Sequence, residues 1–169
     1  MFQSFWMMKK YVIVLMSVLA LMMTSCGAQN KLAKAEREAE LARKVEAALE
    51  ARQYTVAVDW MRSLDGMSRH VNSNYELKID GDVVDSYLPY VGEVYRMPYG
   101  GGKALNFKGE IKNYTIYKRT SNRYIIDFDV VNDEDAYHYR IDMFTNGKAI
   151  IDVLARDRDA ISFDGEMRL

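Results

Sequence analysis

The sequence predicts a mainly all-β domain, an antiparallel sheet curled into a lipocalin-like half-barrel and preceded by an N-terminal helix. Three observations carry this expectation. Apolar and polar residues alternate with period two from Gln53 almost to the end of the chain, as they do in strands with one buried face. Turn signals at Asp80-Gly81, Thr120-Ser121-Asn122 and Thr145-Asn146-Gly147 divide that stretch into hairpins. The segment from Ala28 to Arg52, by contrast, is built chiefly from Ala, Glu, Lys, Arg and Leu without Gly or Pro, a composition that favours helix.

The chain begins with the order of an export signal. Lys9-Lys10 precede the apolar run Tyr11 to Met23, and Thr24-Ser25 supply small residues before Cys26. An apolar run of about 13 residues suits a secretory signal and falls short of the roughly 20 that span a bilayer. Residues 1–25 therefore read as a lipoprotein signal peptide, and Cys26 as the first residue of the mature chain, carrying the lipid that anchors it to a membrane. Cys26 is the only cysteine, so no disulfide staples the fold and stability has to come from packing.

Loss of residues 1–25 removes Lys9 and Lys10 but no acid, and the formal charge moves from −1 to −3. A nucleic-acid partner would need a clustered basic surplus, which this chain lacks. Residues 26–52 read as a helical polar leader, with Glu40 and Lys44 in the favourable i,i+4 order. Its apolar stripe, Leu32, Leu41, Val45 and Leu49, is thin. The expectation is a solvated spacer reaching roughly 33 Å at the helical rise, with a partner-binding coiled coil as the alternative.

Residues 53–169 form the predicted β-domain. Tyr54, Val56, Val58 and Trp60 alternate with polar neighbours, as do Tyr75, Leu77 and Ile79, and a tight turn at Asp80-Gly81 leads into Val83 to Leu88. Four strands follow, near 110–119, 123–131, 136–144 and 148–155. A two-residue turn at Asn146-Gly147 would set Ile141 against Asp152. A three-residue loop pairs Met143 with Ala149, Ile141 with Ile151 and Tyr139 with Val153, which keeps one face apolar and places Gly147 in the left-handed position. The same test at Thr120-Ser121-Asn122 pairs Tyr114 with Phe128 and Ile116 with Ile126. The predicted core is Trp60, Leu77, Ile116, Ile126, Phe128, Tyr139, Ile141, Met143, Ile151 and Val153. On the opposite face these registers align Asp127, Arg140 and Asp152 and set His138 beside Asp129, a cross-strand charge ladder of the kind that contributes about 0.2–1 kcal/mol per pair.

Catalytic chemistry is not legible in these residues. The two histidines, His70 and His138, lack any metal-ligand spacing, and Ser68 near His70 has no acid behind it to complete a triad. Gly100-Gly101-Gly102-Lys103 lacks the Ser or Thr and the following helix of a phosphate loop and reads as a hairpin tip. No catalytic residue, metal or cofactor is assigned. The aromatic cluster Tyr87, Tyr90, Tyr95 and Tyr99 is the candidate binding feature, since tyrosines offer both a ring face and a hydroxyl.

At Ser86-Tyr87-Leu88-Pro89-Tyr90-Val91-Gly92, preceded by Gly81-Asp82 and followed by Tyr95, the chain resembles a group of lipoproteins from Gram-negative gut bacteria known as domain of unknown function 4251. Asn146-Gly147-Lys148-Ala149, the Arg156 to Arg158 turn and the ending Ile161-Ser162-Phe163-Asp164-Gly165 extend the likeness over about residues 46–168. The resemblance implies an antiparallel β-domain and carries no activity, cofactor or catalytic residue. Lipoproteins of that bacterial group often reach the cell surface through an acidic run behind the cysteine. Gly27-Ala28-Gln29-Asn30-Lys31 has none, so the periplasmic face is expected. The function anticipated is a lipid-anchored envelope protein, a non-enzymatic binding module for a small apolar ligand or a partner protein. A structural or assembly role in the envelope is the alternative, and a hydrolase a more distant one.

Overall fold

The computed structural model describes residues 25–71, 74–96 and 102–169. Residues 1–24, which hold most of the expected signal peptide 1–25, the side chain of Cys26, Tyr99 and the glycines Gly100 and Gly101 lie outside the described residues. Helix α1 spans Ser25–Glu50. Its first residues belong to one compact unit ending at Glu40, where Lys34 and Glu38 pair at 3.8 Å along the helix. The second unit, Leu41–Leu169, holds the last turns of α1 and all of the strands.

The strands are β1 (Gln53–Ser63), β2 (Ser68–His70), β3 (Glu76–Asp80), β4 (Val83–Tyr87), β5 (Asn106–Thr120), β6 (Arg123–Val131), β7 (Ala136–Phe144), β8 (Lys148–Ala155) and β9 (Ile161–Arg168). Every neighbouring pair is antiparallel, and β3 to β9 follow one another in sequence order. β1 closes the ring by pairing with β3 on one edge and with β9 on the other. The expected curl thus goes beyond a half-barrel to an eight-stranded closed barrel, with β2 lying beside the second half of β1. Closure removes the free edges that an open sheet would present. It also needs a close approach of backbones: a Cβ on Gly165 would sit 2.2 Å from the Ala57 carbonyl oxygen. Only glycine fits where β9 crosses β1.

The hairpin registers follow the hydrophobic alternation. Met143 faces Ala149, Ile141 faces Ile151 and Tyr139 faces Val153, and Gly147 has a φ of 82°. Gly81, at φ 61°, turns β3 into β4. Ile116 faces Ile126 as expected. Bulges interrupt the β5–β6 ladder between Lys112 and Thr115 and again between Lys118 and Thr120, so the turn itself is tighter than three residues. Asn113, at φ 54°, absorbs the first bulge, and the Tyr114 ring stacks on Phe128 at 6.2 Å.

An eight-stranded barrel is just wide enough for its own side chains, and here aromatic rings fill it. Phe128 and Tyr139 stack at 4.9 Å and 4°, and Phe107 and Tyr137 at 4.9 Å and 25°. Ser86, fully buried, donates to the Leu105 carbonyl at 2.8 Å, while the Tyr139 hydroxyl donates to Ser86 Oγ at 3.2 Å. Eight of the ten predicted core residues are buried, and the two exceptions have identifiable causes. A bulge between Val58 and Trp60 reverses the alternation of β1. Met61 turns inward, and Trp60, 46% exposed, points outward with its ring edge-on to His70. Ile116, 40% exposed, keeps the inward register but lies beyond Glu110, where β4 stops pairing with β5 and the β5–β6 hairpin overhangs the barrel.

The last turns of α1 depart from the solvated spacer. Val45 and Leu49 are buried in the barrel core. Glu46 accepts from the Tyr124 hydroxyl and from Lys118 Nζ at 3.0 Å. Arg52 donates to Asp82 at 2.8 Å, beside the β3–β4 turn. This helix end of the barrel also carries the turns at 81–82, 121–122 and 145–147.

Candidate functional site

The opposite end of the barrel carries the connections. These are the β1–β2 turn at 64–67, the long β4–β5 segment at 88–105, the β6–β7 loop at 132–135 and the β8–β9 loop at 156–160. An arginine, Arg158, is buried among them at 4% exposure. Its Nε donates to Asp135 Oδ2 at 3.2 Å, and Nη2 lies 3.6 Å from Glu134 Oε2. The rings of Tyr90 and Tyr137 lie 5.5 and 5.7 Å from the guanidinium, within cation–π range.

The two carboxylates bind backbone as well. Asp135 accepts from Ala136 N at 2.8 Å and from Asp157 N at 3.3 Å, and Glu134 accepts from Lys103 N at 2.8 Å. One buried cation therefore locks three connections together. Tyr137 completes the lock, its hydroxyl donating to the Ala104 carbonyl at 3.1 Å. Burial is the main reason its ionisation is pushed up to about 12.

The lock presents the 90–96 segment at the surface. Val94 and Arg158 form an isolated antiparallel bridge, and backbone bonds run from Tyr95 N to Asp157 O and from Asp159 N to Glu93 O. Tyr90 donates to Glu93 O at 2.9 Å and to Asp159 O at 3.2 Å, while the Tyr95 hydroxyl donates to the Asp159 carboxylate. Between this segment and the β1–β2 turn opens a shallow cleft of about 670 Å³. Its walls include Leu64, Asp65, Val91, Glu93, Tyr95 and Asp159.

The candidate tyrosines are thus only partly brought together. Tyr90 and Tyr95 meet at Asp159. Tyr87 packs instead against Tyr75 at 5.2 Å on the barrel wall, because β4 runs as a regular strand through that position, and Tyr99 lies outside the described residues. Sequence reasoning missed Asp65, Glu93, Asp159 and buried Arg158. The Arg156 to Arg158 turn drew notice only through the family likeness, since nothing in its spacing separates a buried arginine from a solvated one.

The charge row on the outer face forms as registered. Asp127 faces Arg140, Arg140 faces Asp152, and Asp129 faces His138. Arg140 Nε donates to Asp127 at 2.8 Å, His138 Nδ1 bonds Asp129 at 2.7 Å, and Asn113 donates to the same carboxylate at 2.8 Å. The Asn113 bond, then the His138 bond, hold the Asp129 carboxyl below its usual range. Asp152 accepts from Ser162. These groups bond one another across strands, as a surface ladder does. Among the described residues no cluster of His, Cys, Asp and Glu is arranged to hold a metal ion.

Comparison with known proteins agrees with this architecture. The sequence matches the family described as Domain of unknown function (DUF4251) over residues 36–167. The chain belongs to the DUF4251 family. The match begins inside α1, as does the compact barrel unit. A crystal structure of a DUF4251 family protein from Bacteroides eggerthii is similar with a TM-score of 0.59 at 14% sequence identity, covering 75% of this chain and 86% of that one. At that identity the likeness concerns the fold. No curated protein matches the sequence. Among the described residues no helix is long and apolar enough to cross a membrane.

Proposed function

We propose that this DUF4251 protein is a lipid-anchored, non-enzymatic binding module of the cell envelope, and that it recognises a partner protein through the loop end of its barrel. One observation carries the choice of a protein over a small apolar ligand: stacked rings of Phe107, Tyr137, Tyr139, Phe128 and Tyr114 occupy the interior. A lipocalin-type carrier needs that space for its ligand. The loop end, by contrast, exposes Leu64, Met67, Val91 and Tyr95 around an external cleft, and exposed apolar patches mark interaction surfaces.

Native mass spectrometry of the protein extracted gently from its host's envelope tests this reading. The expected species are the protein free of small molecules and a protein–protein complex. A reproducible lipid-sized mass retained by the barrel would overturn it. The anchor is tested separately by Cys26→Ser, which should move the protein from the detergent-rich to the aqueous phase in detergent phase separation. Unchanged partition would refute lipid attachment.

A further inference from the structure

Among the described residues, the lining of the cleft at the loop end carries acidic side chains and no basic one. Several carboxylates elsewhere on the barrel pair with arginine, Asp82 with Arg52, Asp164 with Arg62, Asp127 with Arg140 and Glu76 with Arg168. The cleft gathers three, Asp65, Glu93 and Asp159, and Arg69, beyond the β1–β2 turn in sequence, acts on Asp65 through space.

Two of these carboxylates are held in place before anything binds. Asp65 accepts from Ser63 Oγ at 2.5 Å and from Met67 N at 3.0 Å across the β1–β2 turn. Asp159 accepts from Glu93 N at 2.9 Å and from the Tyr95 hydroxyl, within the 90–96 wall. These hydrogen bonds, the Ser63 bond first for Asp65 and the Tyr95 bond first for Asp159, lower both pKa values, so both groups are anionic at neutral pH. Between the fixed charges stand Leu64 and Tyr95, each 65% exposed, with Val91 beside them.

We infer that the cleft binds a cationic segment of a partner protein, with a lysine or arginine facing Asp65, Glu93 and Asp159 and a neighbouring apolar side chain resting on Leu64, Val91 and Tyr95. The inference rests on the loop end being the recognition surface and adds the chemistry of the partner. Apolar walls alone would accept many occupants, and charge complementarity selects among them. A volume of about 670 Å³ accommodates a few side chains of an extended segment, within the usual range for binding clefts. The planar fork of arginine suits carboxylates presented from facing walls.

Amide NMR of the isotopically labelled full-length protein, titrated with acetyl-Leu-Arg-Phe-amide and separately with acetyl-Leu-Glu-Phe-amide, tests the assignment. The cationic peptide should shift the amides of Leu64, Gly92 and Tyr95 and bind at least about tenfold more tightly than the acidic one. Combining Asp65→Asn with Glu93→Gln, which keeps an oxygen acceptor at each position, should abolish that preference while the amides of the barrel strands stay in place. Equal affinities for the two peptides at these residues would overturn the charge assignment and leave the loop end standing as the surface. Shifts confined to other regions, or none with either peptide, would overturn both.

Discussion

The two ends of the barrel are closed by opposite means. At the helix end, apolar Val45 and Leu49 enter the core, while the polar clasp of Glu46, Tyr124 and Lys118 stays at the surface. At the loop end the closing group is a charge: Arg158 lies buried with Asp135, and the connections 88–105, 132–135 and 156–160 are arranged around it. Apolar closure is tolerant, because any side chain of suitable volume preserves most of its stabilisation. Ionic closure is exacting, since each donor and acceptor needs its partner in place. The proposed recognition cleft lies beside this ionic closure, its lining including Asp159, the residue after Arg158.

If this contrast is correct, the largest effect comes from Arg158→Ala, which strands Asp135 and Glu134 without their cation. It should cost about 3–5 kcal/mol in chemical denaturation and displace the amide signals of Val94, Tyr95 and Asp159. A loss under 1 kcal/mol would show that the loops hold without the lock. Leu49→Ala at the helix end should cost about 2–5 kcal/mol by the loss of buried volume. It should leave those loop-end signals unmoved, and a shift there would mean that the two ends are one cooperative device.

Alkaline titration probes the tyrosines buried in the barrel. The unfolded chain ionises its tyrosines near pH 10, whereas burial raises Tyr137 to about 12 and Tyr139 higher still. Between those values the folded state holds more protons than the unfolded one, so stability present below pH 10 is lost as pH rises toward 12. Unfolding and tyrosinate absorbance should therefore rise together in that window, and tyrosinate formation well ahead of unfolding would contradict the buried placement. The smallest effect is expected from Glu46→Gln, which removes a half-exposed ion pair. No resolvable loss in the same denaturation assay would fit a surface pair, and a loss approaching that of Arg158→Ala would erase the distinction between the ends.

What the sequence made legible was local and periodic. Hairpin registers could be derived because a slip of one residue at Asn146-Gly147 would mix core and solvent faces, and the charge row followed from those registers. Three kinds of information were not available in that form. The bulge that turns Trp60 outward depends on how β1 meets β9, a pairing across about a hundred residues that alternation cannot report. Val45 and Leu49 looked like a thin stripe because the groove they fill is built by strands much later in the chain. Arg158 and the walls of the cleft come from four connections that only the closed barrel brings together. Of the tyrosine cluster, Tyr90 and Tyr95 lie at the loop end and Tyr87 on the barrel wall, and alternation gave no sign of the carboxylates around the cleft.

The pairing of β1 with β9 sets an order of events for the chain's own history. A polypeptide that emerges amino terminus first presents β1 early, yet its partner Ile161–Arg168 follows about a hundred residues later. Until that last segment is free, the ring cannot shut, and the emerging chain carries an open, apolar-faced strand edge of the kind that aggregates or recruits holding factors. Synthesis or transport must deliver β9 before the ring can close, so a truncation ahead of Ile161 removes the strand that completes it.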